Sequence, residues 1–91
     1  MYYLYLLRRE SNPRETYTGY TNDLKRRLEE HNKHTSTERS FTQERGDWEL
    51  VYYEAYSAKE DCVERERALK HYGSALANLR KRIRSSLSIE G

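Results

Sequence analysis

The sequence predicts an α/β (α+β) fold in which a small three-stranded antiparallel sheet is flanked by three helices. Two observations support this prediction. Segments at the beginning and in the middle of the chain are rich in tyrosine and β-branched or aliphatic residues, as strands are. Other segments carry apolar residues at helical spacing. The predicted order along the chain is strand, strand, helix, strand, helix, helix.

Length and composition restrict the class of protein. The 91 residues suffice for one domain with a small core, which we assign to residues 1–84, with a frayed C-terminal tail at 85–91. The net charge of +2 is only weak support for a phosphate-bearing partner. Cys62 is the single cysteine, which excludes an internal disulfide and fits a reducing compartment. We expect a cytoplasmic protein, because the sequence shows neither a signal peptide nor an apolar run of the ~18 residues that span a membrane.

The first two strands are predicted to form a hairpin. Residues 2–7 form the first strand, and the polar segment 8–14, which contains the only proline, forms a loop. The second strand covers residues 16 to about 20. The hairpin brings Tyr5 near Tyr17 if their faces match, but the sequence alone leaves the register open.

The first helix carries two polar residues where a core is expected. Gly19 is predicted to break the second strand, and Asn22 is the predicted N-cap because its side-chain oxygen can accept from free amides. Arg27 and His31 then lie on or beside the helical face that carries two leucines. An arginine and a histidine aimed at a core are costly unless something uses them, so this pair is the first indication of a functional site.

The second half of the chain alternates again between loop, strand and helix. Residues 32–47 lack periodicity, and we expect a mobile, partly basic functional loop there. Residues 48–56 are predicted to form the third strand, with mixed faces. Ser57 and Glu60 form a predicted capping box at the start of the second helix, which Gly73 is expected to end before the last helix begins.

Glu66 is an acidic residue on the apolar side of the second helix, one turn from Val63 and Leu69. A buried carboxylate without a partner is expensive. One interpretation is a salt bridge to Arg65, Lys70 or an arginine of the first helix. The other is a Mg²⁺ ligand, because magnesium takes only one or two protein carboxylates and completes its shell with water and phosphate. The residues themselves favour the salt bridge.

Two short tyrosine motifs and three polar residues occur at a characteristic spacing. The motifs are Tyr3-Leu4-Tyr5 and Tyr17-Thr18-Gly19. Arg27 lies ten residues after the tyrosine of the second motif, His31 lies four residues further on, and Glu66 lies on the helix after the third strand. In the order and spacing of these residues, nearly the whole chain closely resembles a small stand-alone GIY-YIG nuclease domain of the bacterial, URI-like type.

The resemblance implies a metal-dependent endonuclease that hydrolyses phosphodiester bonds of structured or damaged DNA in repair or recombination. The implied catalytic residues are Tyr5, Tyr17, Arg27, His31 and Glu66. Glu66 would hold Mg²⁺ or Mn²⁺, and Arg27 would stabilise charge on the phosphate. Tyr5 or Tyr17 would accept the proton of the attacking water, while His31 would orient a reactant or protonate the leaving oxygen.

Two departures from the family pattern leave alternatives open. Larger members carry additional DNA-binding domains, so this domain either cuts weakly alone, needs a homodimer or a partner protein, or has lost cleavage. A nucleic-acid-binding module without cleavage is therefore the main alternative function, and a protein-interaction domain is the third. Many members also use a late asparagine, and Asn78 lies at a suitable distance in the sequence. Its helical phase, however, directs it away from the apolar face.

Overall fold

The computed structural model describes residues 1–32 and 47–88 and confirms the predicted fold class. The elements are β1 (Tyr2–Arg9), β2 (Thr16–Thr21), α1 (Leu24–Asn32), β3 (Trp48–Tyr56), α2 (Lys59–His71) and α3 (Gly73–Arg82). The strands form one antiparallel sheet in the order β2-β1-β3. None of the helices in the described residues is long and apolar enough to cross a membrane.

Two predictions concern segments that extend beyond the described residues. The long loop was predicted over residues 32–47, and its residues 33–46 lie outside the described part of the chain. The division into one domain and a frayed tail stays a prediction, since residues 89–91 also lie outside it.

The central strand β1 contributes to two separate cores, one on each face of the sheet. On one face, Leu4 is buried against side chains of α2 and α3. On the other face, Tyr5 and Leu7 are buried against Trp48 and contact the leucines of α1. The alternation of side chains along a strand explains why neighbours in β1 belong to different cores.

A β-bulge in β3 lets that strand serve both cores. Leu6 pairs with Tyr52, whereas the next residue of β1, Leu7, pairs with Leu50, so Val51 is the extra residue. The extra residue shifts the alternation by one position. As a result Leu50 contacts the core under α1, while Tyr52 contacts the core under α2 and α3. The bulge accounts for the mixed faces that the sequence of this strand shows.

The start of α1 differs from the prediction by one residue. Asp23, not Asn22, is the capping residue, because its Oδ1 accepts a hydrogen bond from the backbone N–H of Arg26 at 3.1 Å. Thr21 fixes the approach to the helix, since its Oγ1 accepts from the N–H of Asp23 at 3.1 Å. The side chain of Asn22 instead accepts from the guanidinium of Arg26. Asp23 therefore provides both the cap and the negative charge at the helix N-terminus.

The ends of α2 also differ from the prediction. The N-cap is Ala58, with no side-chain hydrogen bond at the cap, so the predicted capping box of Ser57 and Glu60 is wrong. Glu60 instead lies in the first turn, where its charge complements the helix dipole. Gly73 does not end α2 but begins α3, and the extended residue Tyr72 (φ −114°, ψ 100°) separates the two helices.

Arg9 connects the hairpin loop to the start of β3. Its side chain is 3% exposed, and it forms ion pairs with Glu15 at 2.7 Å and Asp47 at 2.8 Å. Its guanidinium lies 4.4 Å from the centroid of the Trp48 ring. Hydrogen bonds from Ser11 and from Arg9 lower the pKa of Asp47 to about 2. This cluster fixes the end of the sheet opposite the start of β1.

Replacing Arg9 tests this cluster. Arg9→Met should lower the free energy of unfolding by about 3 kcal/mol, because Glu15 and Asp47 are then left without their shared cation. Arg14→Met is the matched control: Arg14 is exposed in the same loop, and the same charge change there should cost little. Urea denaturation at pH 7 measures both, and equal losses would contradict the assigned role.

The pH dependence gives a second test of the same cluster. The folded-state pKa of Asp47, about 2, lies below its usual value of 3.8. Its contribution to stability is therefore complete above about pH 4 and is lost as the pH falls toward 2. Asp47→Asn should show a flatter stability profile than the wild type between pH 4 and pH 2 in the same denaturation experiment.

Candidate active site

Tyr5, Arg27 and His31 form a hydrogen-bonded cluster between β1 and α1. Tyr5 is 2% exposed, and its hydroxyl lies 2.9 Å from Nε2 of His31. Nε of Arg27 donates to the same hydroxyl at 3.3 Å. Because a guanidinium can only donate, the Tyr5 oxygen accepts from Arg27 and its O–H can donate to His31. This network assigns the proton of the neutral imidazole to Nδ1.

Burial sets the protonation states in this cluster. Desolvation, assisted by the positive charge of Arg27, lowers the pKa of His31 to about 4, so the imidazole is neutral at pH 7. Desolvation raises the pKa of Tyr5, although the hydrogen bond from Arg27 opposes this effect. The cluster therefore contains one neutral phenol, one neutral imidazole and one cation. Arg27 and His31, which would be costly to bury without partners, are thus hydrogen-bonded to the same tyrosine hydroxyl.

The register of the hairpin places the two motif tyrosines on the same face. Tyr5 pairs with Gly19 and Leu7 pairs with Tyr17, so the side chains of Tyr5 and Tyr17 are diagonal neighbours. Their ring centroids lie 6.4 Å apart. Tyr17 also contacts His31 edge to face, with ring centroids 4.9 Å apart. The pairing that the sequence left open is therefore the one that joins the two tyrosines.

Gly19 lies inside β2, so the predicted break of the strand at this residue is wrong. A Cβ atom at this position would lie 2.5 Å from the hydroxyl oxygen of Tyr5 and 2.7 Å from its Cζ. The ring of Tyr5 crosses the strand where a side chain would otherwise stand. The glycine is required by this close approach rather than by a turn.

Glu66 of α2 lines the same pocket as Tyr5, Tyr17 and Arg27. The side chain of Glu66 is 19% exposed, and its Oε2 lies 3.7 Å from Nζ of Lys70. The ammonium of Lys70 also lies 5.6 Å from the centroid of the Tyr17 ring. Of the salt-bridge partners that the sequence suggests for Glu66, the structure therefore selects Lys70.

Arg65, the other candidate on α2, pairs with Glu54 of β3 at 3.0 Å instead. Glu54 also accepts hydrogen bonds from the hydroxyls of Tyr52 and Tyr56. This group attaches α2 to β3 through the residue that precedes Glu66. It thus fixes the rotation of α2 with Arg65 on β3 and Glu66 in the pocket.

The pocket is open and has a volume of about 480 Å³. Tyr5, Tyr17, Arg27 and Glu66 line it, and His31 lies behind Tyr5 within hydrogen-bond distance. All five predicted site residues therefore come together. Asn78 does not belong to the lining and is exposed on α3, as its helical phase suggested.

The donor atoms at this pocket restrict the cation that it can hold. Within residues 1–32 and 47–88, no group of three or more histidine, cysteine, aspartate or glutamate side chains could hold a metal ion. Glu66 offers a single half-buried carboxylate that opens onto the pocket. This donor fits a cation such as Mg²⁺, which keeps several waters, better than zinc, which takes three or four protein ligands.

The sequence profile of the GIY-YIG catalytic domain matches residues 1–78. The chain belongs to the GIY-YIG family. This is a nuclease family whose members act on DNA and generally use divalent metal ions, so membership indicates an endonuclease. The resemblance that the motifs indicate is thereby confirmed.

Individual relatives of this GIY-YIG domain carry less specific names. The chain is 32% identical over 71 residues to a UPF0213 protein of Haloquadratum walsbyi. The aligned region covers 78% of this chain and 75% of that protein. It is 38% identical over 68 residues to a UPF0213 protein of Streptococcus agalactiae, covering 75% and 73% of the two chains. A UPF0213 protein of Streptococcus pyogenes shows the same identity over 75% of this chain and 70% of its own. No solved structure matches the chain.

Three further residues of this GIY-YIG domain belong to the site, although they are not predicted as site residues from the sequence. Gly19 is needed for the position of Tyr5, and Arg26 and Lys59 line the pocket. Lys59 could have been found by helical spacing, because it precedes Glu66 by seven residues, which is two turns. Arg26 carries no such signal, since its neighbours are equally charged and only the hairpin decides which of them faces the pocket.

Substituting Gly19 tests the close approach of Tyr5. Gly19→Ala should destabilise the fold by about 1–3 kcal/mol, because the methyl group must displace a buried ring. Gly73→Ala is the control, since a Cβ there meets nothing within 4 Å and the residue lies in the first turn of α3. It should be neutral or slightly stabilising. Thermal unfolding of both variants decides, and equal melting temperatures would contradict the argument.

The buried imidazole predicts a pH dependence of stability. His31 has a folded-state pKa of about 4, below the value of 6.5 of an ordinary histidine. Its contribution is complete above about pH 6.5 and is lost as the pH falls to 4, a total of about 3 kcal/mol. His31→Gln should flatten this part of the profile. NMR titration of the His31 ring should give half-protonation near pH 4, and a midpoint near 6.5 would refute the buried neutral state.

Proposed function

We propose that this GIY-YIG domain is a metal-dependent endonuclease that hydrolyses phosphodiester bonds of structured or damaged DNA, in repair or recombination. The observation that supports it is the convergence of side chains from four elements on one pocket. Tyr5 comes from β1, Tyr17 from β2, Arg27 from α1 and Glu66 from α2. A phosphate, an attacking water and a cation need such groups side by side. The class of DNA is taken from the resemblance and is tested by the substrate panel below.

Glu66 is the residue that would hold the divalent cation, which we propose to be Mg²⁺ or Mn²⁺. When bound, the cation would supply Lewis-acid stabilisation of the phosphate oxygens. Lys70 balances the charge of Glu66 in the structure, and its side chain is 42% exposed. The two charged atoms lie 3.7 Å apart and the lysine is open to solvent, so this ion pair contributes little free energy and the carboxylate can exchange Lys70 for another cation.

Arg27 is the proposed phosphate-binding residue. Its side chain is 40% exposed at the pocket, while Tyr5 and Glu30 fix the guanidinium from behind through hydrogen bonds of 3.3 Å and 3.2 Å. A planar guanidinium remains charged at all relevant pH values and can bind phosphate oxygens in a fork. Arg27 is therefore placed to stabilise the negative charge that builds on the phosphate.

We assign the proton transfer to Tyr17 rather than Tyr5. Tyr5 is buried, and both its neighbours in the cluster hold its hydroxyl, so it positions Arg27 and His31. At neutral pH the proton stays on Tyr5, because its pKa is raised while that of His31 is about 4. Tyr17 is half-buried, lines the pocket and can be reached by water. Tyr17 would act as the phenolate, having lost its own proton to solvent beside a cation, and would then accept the proton of the attacking water.

Cleavage assays test this proposal. Purified protein is incubated with branched, nicked and intact duplex DNA in Mg²⁺ or Mn²⁺, and single-turnover rates are measured. Glu66→Gln and Arg27→Ala should each lower the rate by on the order of 100-fold or more while DNA binding is retained. The matched controls are Glu64→Gln on α2 and Lys25→Ala on α1, both exposed, which should keep the wild-type rate.

Substituting each tyrosine in the same assay distinguishes the residue that transfers the proton from the residue that positions its neighbours. Tyr17→Phe should abolish cleavage while leaving the fold unchanged. Tyr5→Phe should reduce the rate only partly, because it removes the hydroxyl that positions Arg27 and His31 but leaves Tyr17 in the pocket. Cleavage by Tyr17→Phe at the wild-type rate would overturn the assignment of the proton acceptor.

A nucleic-acid-binding module without cleavage is the second candidate. It is favoured by the pairing of Glu66 with Lys70, and by the finding that the described residues contain no group of three or more side chains that could hold a metal ion. The module should bind DNA in a salt-dependent manner with or without metal. If the wild-type protein binds every substrate and cuts none of them in either metal, the module is the correct function.

A further inference from the structure

Two cations from different helices lie along strand β2, which is an edge of the sheet as far as the described residues extend. Within residues 1–32 and 47–88 the strand order is β2-β1-β3, so β2 has a single neighbouring strand there. Lys70 of α2 lies 5.6 Å from the centroid of the Tyr17 ring. Arg80 of α3 donates from Nη2 to Oγ1 of Thr16 at 2.9 Å. These contacts place one cation beside each of the first two residues of β2.

The candidate pocket extends from Tyr17 to the other end of the same strand. Tyr17 and Gly19 to Thr21 contribute to its lining, together with Arg27 from α1. The six residues of β2 span about 17 Å, which is the length of a few nucleotides of backbone. Positive groups are thus present along the whole strand, from Arg27 in the pocket past Lys70 to Arg80.

The acidic groups near this line are neutralised by other residues. Glu15, next to Thr16, is ion-paired with the buried Arg9. Glu66 is paired with Lys70, whose side chain is 42% exposed and therefore accessible to an anion as well. Glu30, which lines the pocket, is paired with Arg27. Arg80 uses one nitrogen for Thr16, and its remaining N–H donors can bind an anion.

A second arginine of α3, Arg82, lies near the opposite edge of the sheet, which is formed by β3. The charge of Arg82 acts on the hydroxyl of Tyr52 in β3. Arg80 and Arg82 are two residues apart, so they project to nearly opposite sides of the helix. Because β2 and β3 are the two edges, these arginines form a matched pair with the same charge on the same helix and different positions.

We propose that the backbone of the bound DNA strand leaves the pocket along the edge of β2 and contacts Lys70 and then Arg80. This inference rests on the proposed function, because it takes DNA as the ligand of the pocket. Helices α2 and α3, which cover the face of the sheet away from α1, thereby take part in DNA binding. The position of Arg80 on α3 then determines the direction in which the DNA strand leaves the pocket. A path across α1, past Lys25, is the alternative that the experiment distinguishes.

The test measures the salt dependence of DNA binding without catalysis. Fluorescence anisotropy of a labelled nicked duplex in EDTA, over a series of salt concentrations, gives the slope of log K against log[salt]. Arg80→Gln and Lys70→Gln should each reduce the slope by about 0.7–0.9 and weaken binding about fivefold at low salt. Arg82→Gln and Arg67→Gln are the controls on the same helices and should keep the wild-type slope. Arg80→Lys should retain most of the affinity.

Each outcome of this experiment decides one point. An Arg82→Gln slope as low as that of Arg80→Gln, or an unchanged slope for both Arg80→Gln and Lys70→Gln, refutes the path along β2. A reduced slope for Lys25→Ala alone indicates the path across α1. If the wild type shows no salt-dependent binding and no cleavage, the proposed function itself fails. Should Arg80→Gln fail to fold by circular dichroism, the comparison of Lys70→Gln with Arg67→Gln decides.

Discussion

The hydroxyl group of Tyr5 is the contact on which the site depends. It receives a hydrogen bond from Arg27, lies 2.9 Å from Nε2 of His31, and stands where a Cβ of residue 19 would be. One buried oxygen therefore links β1 to α1 and requires a glycine in β2. Buried polar groups are stable only when they are satisfied, so the three side chains hold one another in fixed positions. The rigid cluster leaves the guanidinium of Arg27 facing the pocket.

The second constraint is the attachment of α2 to the sheet. Glu54 accepts hydrogen bonds from Arg65 and from two tyrosine hydroxyls. Burial alone would raise the pKa of Glu54, but these hydrogen bonds lower it, so the carboxylate keeps its charge. Since Arg65 and Glu66 are adjacent, fixing one on β3 directs the other to the pocket. A carboxylate from a distant part of the chain is thereby brought to the pocket of the hairpin.

Charge in the pocket is balanced in two different ways. On α2, the half-buried Glu66 is paired with the more exposed Lys70. On α1, hydrogen bonds to Tyr5 and Glu30 hold Arg27, and burial lowers the pKa of the neighbouring His31. A histidine that stays neutral beside an arginine leaves all the positive charge on the guanidinium. The proposed nuclease would therefore bind phosphate through Arg27, whose charge does not change with pH. At Glu66, a metal ion would take the place of the Lys70 ammonium.

Local patterns in the sequence determined the order of the elements and drew attention to Arg27, His31 and Glu66, while the resemblance to the GIY-YIG family added Tyr5 and Tyr17. Strand alternation and helical spacing are short-range properties, and the spacing of Arg27 and His31 survives any arrangement of the other elements. Helix ends were predicted less well: Asp23 and Ala58 are the caps because the approach of the preceding strand, not the side chain alone, decides which residue turns first. Only the tertiary structure decided the register that joins Tyr5 to Gly19, since pairing depends on contacts across strands. It also decided that Glu66 shares a pocket with the hairpin, because the rotation of α2 is set by a residue of β3 that no local pattern connects to it.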